Sequence, residues 1–351
     1  MSPEKKLSIQ DLSYEEIQGV VNGYGYPKFR AEQIYTAAMQ NKTFDKMNIP
    51  QDLRDKLSDD YYDVATEIIE TFTGKDGTEK YLFLMRDNNV VEGVFMPHNY
   101  GNTLCVSTQV GCRMGCAFCA STLNGLIRNL TAGEILGEVL AVNARHNGTI
   151  KNRAVTNVVL MGSGEPLDNY DEVTKFLRLL SDERGINISL RNVSLSTCGL
   201  VDRIIELADS GLTVTLTISL HSPYDKIRSN LMPVNKRYNI ASLIEAAKYY
   251  FNKTGRRVIF EYSLIDGENV SFQDAEKLAS LLTGFASHVN LIRLNPVKER
   301  NLKCPTTDTV KEFSEALTKL NVSNTIRRSM GNDIEGACGQ LRNKYLNGGV
   351  K

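Results

Sequence analysis

Apolar residues recur along this chain with a helical period at its start, a two-residue period next, and an alternation of the two from about residue 103 onward. In the first stretch, Ser13 followed by Glu16 has the capping-box pattern that opens a helix, and Gly23 and Gly25 end it. Between residues 28 and 40, Ala31, Ile34, Tyr35 and Ala38 fall on one helical face, and Pro50 suits the first turn of a further helix through about Leu57. Residues 1–60 therefore read as a helical accessory domain. Three strand-like runs follow, 66–73, 80–85 and 90–96, separated by Lys75-Asp76-Gly77 and Asp87-Asn88-Asn89. They predict an antiparallel meander, a β extension or linker over residues 61–102.

From about residue 103, strand-like runs at 103–109, 155–161, 192–196, 213–219, 257–264 and 288–294 alternate with helical stretches near 131–147, 170–182, 201–210, 239–253, 271–286 and 307–320. Thr131 with Glu134 is a second capping box, and a seventh strand is expected at 324–328. Six βα units in succession predict an α/β fold with a parallel sheet, either curled into a partial (β/α)6 barrel or open and doubly wound. This unit occupies residues 103–345. No internal repeat or low-complexity linker interrupts it.

Composition narrows the class without naming the chemistry. The 351 residues hold 41 Lys+Arg and 41 Asp+Glu, a formal net charge of zero, so a general electrostatic hold on nucleic acid is absent at the level of the whole chain. Any RNA contact must come from local groups such as Arg191, Lys298 to Lys303, Arg327 with Arg328, or Arg342 with Lys344. An odd count of seven cysteines does not suit a secreted disulfide framework, and Met1-Ser2-Pro3-Glu4-Lys5-Lys6 has no apolar signal core behind it. No run approaches the ~18 apolar residues of a membrane span. The expected setting is a reducing cytoplasm, with no membrane partner.

The chemistry gathers around Cys112, Cys116 and Cys119. Three thiols spaced by three and then two residues can wrap one corner of a cubane, and a four-iron cluster held by three cysteines keeps one iron open to a ligand. A structural zinc is the alternative, but zinc sites favour paired ligands with a fourth Cys or His close in sequence, and neither His98 nor His146 is close.

In parallel α/β folds, ligands bind beyond the carboxyl ends of the strands. Those ends carry small and polar residues here: the cysteine loop, then Met161-Gly162-Ser163-Gly164-Glu165-Pro166-Leu167, Ser196-Thr197-Cys198-Gly199, Ser219-Leu220-His221-Ser222 and Arg293-Leu294-Asn295-Pro296. Alone, Gly162 and Gly164 are what turns require, and His221 after an apolar strand reads as a satisfied buried histidine. Their joint placement opposite a cysteine cluster is what marks a site.

This combination resembles the radical S-adenosylmethionine enzymes. Together with the run Asp333-Ile334-Glu335-Gly336-Ala337-Cys338-Gly339-Gln340-Leu341, it is similar to the RlmN/Cfr family of RNA adenosine methyltransferases over nearly the whole chain. The resemblance implies a radical SAM partial barrel with a C-terminal catalytic-cysteine segment and a 4Fe-4S cluster on Cys112, Cys116 and Cys119. It also implies two S-adenosylmethionine molecules per turnover, one as methyl donor and one as radical source. Gly164, Glu165, Ser196, Ser219, Leu220, His221 and Asn295 would contact that cofactor.

Catalysis by resemblance assigns Cys338 as the methyl-carrying cysteine, Cys105 as the resolving thiol that leaves a transient disulfide, and Glu92 as proton acceptor. Cys198 and Cys304 match no catalytic position. The implied substrate is an adenosine of 23S rRNA in the peptidyl-transferase centre, met before ribosome assembly is complete. In some members the adenosine beside a tRNA anticodon is a second substrate, and flavodoxin or ferredoxin serves as the external one-electron reductant. Pro166 matches the C2-methylating enzymes, whereas Ser163, Ser222 and Arg293 depart from their pattern and keep open the C8 chemistry that confers ribosomal antibiotic resistance. A non-catalytic RNA-binding protein with a structural metal is the remaining alternative class.

Overall fold

The computed structural model describes residues 6–294, 302–327 and Ile334. Asn295 and Cys338 lie outside the described residues, as do most of the basic groups expected near the C-terminus. The chain begins with three short helices, α1 (Tyr14–Gly23), α2 (Phe29–Ala38) and α3 (Gln51–Asp60). Ser13 caps α1 through the reciprocal Ser13/Glu16 box that its sequence predicts. Ile17, Val21, Ala31, Ile34, Tyr35, Leu53 and Leu57 are buried, so the apolar stripes of these helices face one another.

A meander follows, β1 (Thr66–Thr73), β2 (Glu79–Met85), β3 (Val90–His98) and β4 (Gly101–Cys105). It is not a free-standing extension. β4 pairs antiparallel with β3 on one side and parallel with β7 (Asn157–Leu160) on the other. A small hairpin, β5 (Gln109–Gly111) and β6 (Leu126–Asn129), brackets the three cysteines before α4 (Ala132–Arg145) leads into β7. The expected single strand 103–109 is thus two elements, because the chain leaves the sheet after Cys105 and turns at Val106–Thr108 to enter the hairpin.

The βα alternation continues through α5 (Tyr170–Ser181), β8 (Val193–Thr197), α6 (Val201–Asp209), β9 (Thr215–Ser219), α7 (Asp225–Leu231), α8 (Ile240–Thr254), β10 (Val258–Leu264), α9 (Phe272–Leu281), β11 (Ser287–Arg293), α10 (Thr307–Lys319) and β12 (Asn324–Ile326). One ten-stranded sheet results, in the order β1-β2-β3-β4-β7-β8-β9-β10-β11-β12, parallel from β4 onward. The short helix α7 has no counterpart in the sequence reading, and α9 stops at Leu281, short of the expected 286, before the turn at Gly284.

The strand register sorts the residues onto two faces. Leu104, Val158 and Val193 stand in one row, Leu160, Leu195 and Leu216 in the next, and Ile218, Phe260 and Val289 in a third, all buried against the helices. The opposite face carries Cys105, Ser194, Thr215, Ser196, Thr217, Ser219, Glu261, Asn290 and Thr325, with Val159 and Ile259 as apolar members. An inner face this polar is not a packed barrel core. It offers a row of hydrogen-bonding groups suited to a polar ligand.

The N-terminal helices join the same hydrophobic core as the barrel helices. Asp11 carries the junction: its Oδ1 accepts from Gly133 N at 2.6 Å, at the first turn of α4, and burial raises its pKa. A β-carbon at Gly133 would sit 2.5 Å from Asp11 Cγ. Gly133→Ala is therefore expected to destabilise the protein by about 1–3 kcal/mol, read as a lower urea midpoint, through overpacking of this junction. A midpoint equal to that of the parent chain would show that the junction yields freely.

Candidate active site

The cysteine loop is anchored from three sides. Gly111, at φ 79°, opens it in a left-handed conformation, and any β-carbon there would collide with the Gly125 carbonyl, so the hairpin closes only with glycine. Gln109 donates to Asp168 Oδ2 and Asn129 Oδ1, each at 2.9 Å, and its Oε1 accepts from Glu165 N at 2.9 Å. Arg113, inside the loop, makes a two-point contact with Asp168 at 2.9 and 2.6 Å. Ala117 N donates to Leu231 O at 2.8 Å, which fastens the loop to the end of α7.

Cys112 and Cys116 are buried, and Cys119 is half-buried. Burial pushes the Cys112 thiol up to about 12, with the charges of Glu165 and Cys119 adding to it, although the Met114 backbone N–H opposes the rise. Cys116 moves the same way, through burial and then the nearby Cys119 and Cys112 sulfurs. The Cys112 and Cys116 thiols therefore feel each other and the Cys119 sulfur, and these two would ionise only against a strong positive charge. Soft, mutually coupled thiolates around a cationic iron core meet that condition, so these residues fit a cluster with three protein ligands.

The Gly-rich turn after β7 packs inward more tightly than its sequence indicates. A β-carbon at Gly162 would lie 2.6 Å from Val106 O, and one at Gly164, whose φ is 111°, 2.7 Å from Gln109 Cβ. Both glycines thus serve the close approach of this turn to the segment before the cysteines. Glu165 is fully buried, and desolvation raises its pKa against several hydrogen bonds that lower it. Its Oε2 accepts from Cys198 N at 2.7 Å and its Oε1 from Leu167 N at 3.1 Å. The Thr197 and Cys198 side chains add hydrogen bonds to the same carboxyl.

Ser196 and Ser219 stand on the inner face, where Thr217 beside them presents a buried Oγ1 with no hydrogen-bond partner among the described residues. His221 is close in space to the cysteine loop although distant in sequence. Its ring lies edge-on to Phe118, with centroids 4.5 Å apart, and it adopts φ 57°. Nδ1 accepts from Ser263 N at 2.9 Å, so the ring proton sits on Nε2, which is buried with no acceptor among the described residues. Burial lowers its pKa to about 3, with the Arg228 charge adding to the effect, and the imidazole stays neutral. A buried N–H donor and an inner-face hydroxyl, both without a partner among the described residues, suit a ligand with several polar atoms.

Cys105 and Glu92 share the inner face, since Cys105 pairs with Val94, two residues along β3 from Glu92. Glu92 is buried, and Lys80 Nζ lies 3.0 Å from its Oε2 across the strand pair. Sequence reasoning missed Lys80, although a lone charge alternating with Leu82 and Leu84 was a usable signal. Arg228 was missed as well. Cys198, read as a bystander, packs against Cys116, and its backbone joins Glu165 to Arg228, a fully buried arginine of α7. Cys304, also read as a bystander, is exposed.

Below this floor, Glu138 of α4 accepts from Ser107 N at 3.1 Å, and Ser107 Oγ in turn bridges Glu92 O and Ser163 N. Glu138 is fully buried and its pKa is raised well above the ordinary carboxylate value, chiefly by desolvation. The unfolded chain ionises this group from about pH 4.3 upward while the folded chain keeps it protonated, so its contribution to stability falls as pH rises from there toward the folded pKa. Urea midpoints measured from pH 4 to pH 8 should decline less steeply in Glu138→Gln than in the parent chain. Parallel pH profiles for the two would rule out a protonated Glu138.

The chain matches the model of the Radical SAM superfamily over residues 106–282. It is 47% identical over 342 residues to the probable dual-specificity RNA methyltransferase RlmN of Lachnospira eligens, covering 96% of each chain. It is 46% identical over 345 residues to the protein of the same description from Alkaliphilus oremlandii, covering 97% of this chain and 99% of the relative. Among solved structures, a radical SAM methyltransferase from Sphaerobacter thermophilus superposes with a TM-score of 0.91 at 40% identity, covering 95% of this chain and 98% of the other.

Proposed function

Because the chain belongs to the RlmN/Cfr family of radical SAM RNA methyltransferases, and so works with a 4Fe-4S cluster and S-adenosylmethionine, we propose that it methylates C2 of an adenosine in the peptidyl-transferase centre of 23S rRNA. The observation that carries this reading is the shared inner face of Cys105 and Glu92 beside the strand-end loops that would hold the cofactor. The relatives' description as dual-specificity enzymes supports tRNA as a second substrate. Pro166 supports C2 over C8.

C2 of adenine is an electron-poor ring carbon with no lone pair to attack an electrophilic methyl group. Polar transfer therefore fails, and a carbon radical is needed. Cys112, Cys116 and Cys119 would hold the cluster, which when bound supplies the electron that splits S-adenosylmethionine to a 5'-deoxyadenosyl radical. Glu165 would accept from the cofactor's ammonium group. Ser196, the Ser219-Leu220-His221 turn and Asn295 would hold its carboxylate and adenosyl parts, and Gly164 keeps the turn against Gln109 so that Glu165 faces them.

Cys338 would first take a methyl group by displacement from one S-adenosylmethionine, and that S-methyl would then lose a hydrogen atom to the deoxyadenosyl radical of the second, so that the remaining carbon radical bonds to the adenine ring, whose surplus electron would return to the electron source as its proton leaves. Glu92 would accept the proton that the ring sheds. Cys105, as its thiolate, would then attack the Cys338 sulfur, the carbon–sulfur bond breaking toward the base, whose methylene takes up a proton to become the methyl group, and leaving a disulfide for external reduction. The target adenosine must leave its stack to reach the inner face, a smaller cost in RNA that is not yet fully folded. In this reading residues 1–60 grip RNA, residues 61–102 supply Glu92, residues 103–345 form the catalytic unit, and a cytoplasmic flavodoxin or ferredoxin delivers the electron. No helix among the described residues is long and apolar enough to cross a membrane.

Mass spectrometry of ribosomal adenosine should show 2-methyladenosine in cells that carry the gene and not in cells that lack it; 8-methyladenosine instead would overturn the regiochemistry. Cys338→Ala should keep iron and sulfide and still cleave S-adenosylmethionine while yielding no methylated RNA. Cys105→Ala should be isolated with RNA covalently attached to Cys338, and its recovery free of RNA under turnover would remove Cys105 from the resolving role.

A further inference from the structure

Arg228 is a buried cation without a counter-ion. It sits on α7 with no solvent exposure and enters no ion pair among the described residues. Its guanidinium instead makes four hydrogen bonds to neutral acceptors. Nε donates to Leu220 O at 3.2 Å, Nη1 to Asn235 Oδ1 at 2.7 Å, and Nη2 to Cys198 O at 2.7 Å and Ser219 O at 3.0 Å. Asn235 is held in turn by Asp225 and Ser229, so the fork cannot swing away.

Hydrogen bonds to carbonyls satisfy donors but leave the charge itself uncompensated, and an unpaired buried charge is costly. Burial lowers the pKa of Arg228 only to about 10, so it remains a cation at neutral pH. The ionisable groups that its charge couples to are the thiols of Cys198 and Cys116, held neutral by burial, followed by Asp225. Asp225 is already engaged by Asn235 Nδ2 and Ile240 N. Glu165 lies across the Cys198 peptide, with its oxygens taken by backbone N–H groups. One helical turn after Arg228, Leu231 O accepts from Ala117 N between Cys116 and Cys119, so α7 delivers both the cation and the loop anchor.

Three thiolates carry more negative charge than an oxidised four-iron core carries positive, and reduction adds a further unit. The site therefore acquires an anion where the protein has placed an unmatched cation. We propose that Arg228 is a positioning residue of the cofactor site that fixes the ends of β8 and β9 against the cluster loop and stabilises the added negative charge of the reduced cluster. The inference rests on Cys112, Cys116 and Cys119 as the cluster ligands.

The test uses the full chain, reconstituted anaerobically, with potentiometric titration followed by electron paramagnetic resonance and with binding of S-adenosylmethionine measured in parallel. Arg228→Gln should bind iron and sulfide as the parent does but show a cluster midpoint shifted to more negative potential. Arg228→Lys keeps the charge and loses the fork, so its midpoint should stay at the parent value while cofactor affinity falls on the order of tenfold, the loss expected for a charged hydrogen bond. A Gln variant with the parent midpoint, or a Lys variant whose midpoint falls with it, would overturn the charge role. Should the Gln variant not fold, the Lys variant decides alone. Parent protein that takes up no iron and sulfide would instead overturn the ligand assignment, and this inference with it.

Discussion

The peptide unit of Cys198 holds the strand-end loops in one arrangement. Its N–H is taken by the buried carboxylate of Glu165 and its carbonyl by the buried guanidinium of Arg228. Through these two bonds the turn after β7, the turn after β8 and the turn after β9 become one rigid rim, because Arg228 also binds Ser219 O and Leu220 O. Charged donors and acceptors buried away from water make such links strong and directional. The position of every proposed cofactor contact among the described residues depends on this rim.

Much of this architecture was legible along the chain. The capping boxes at Ser13 and Thr131 form as reciprocal side-chain and backbone bonds, since they depend only on residues three apart. The order of strands followed from apolar runs separated by helical stretches, because parallel strands buried against helices need continuous apolar support. The site was legible for a different reason. Cys112, Cys116 and Cys119 are local in sequence, and the loops that join them in space all lie at the same end of parallel strands.

What escaped detection was set by partners distant in sequence. Lys80 is one charge in a strand, and only the register with β3 places it against Glu92. Arg228 falls in a seven-residue helix too short to show a period, and its acceptors come from two strand ends and a 3-10 turn. The split of 103–109 into β4 and β5 was hidden because apolar alternation continues through Val106 and Val110 while the backbone leaves the sheet. The glycines of the turn after β7 read as turn residues, and their close contacts with Val106 and Gln109 emerge only from the fold.

The meander joins the parallel strands edge to edge, and the superfamily match begins at residue 106, one position after Cys105. The cysteines proposed to carry the iron–sulfur centre lie inside the matched segment, while Glu92, Cys105 and Cys338 all lie outside it. In the proposed reaction, radical generation and the handling of the methylated base would thus be housed in different stretches of the chain. In such a layout the flanking strands can be rewritten for another substrate while the engine that makes the radical is left untouched.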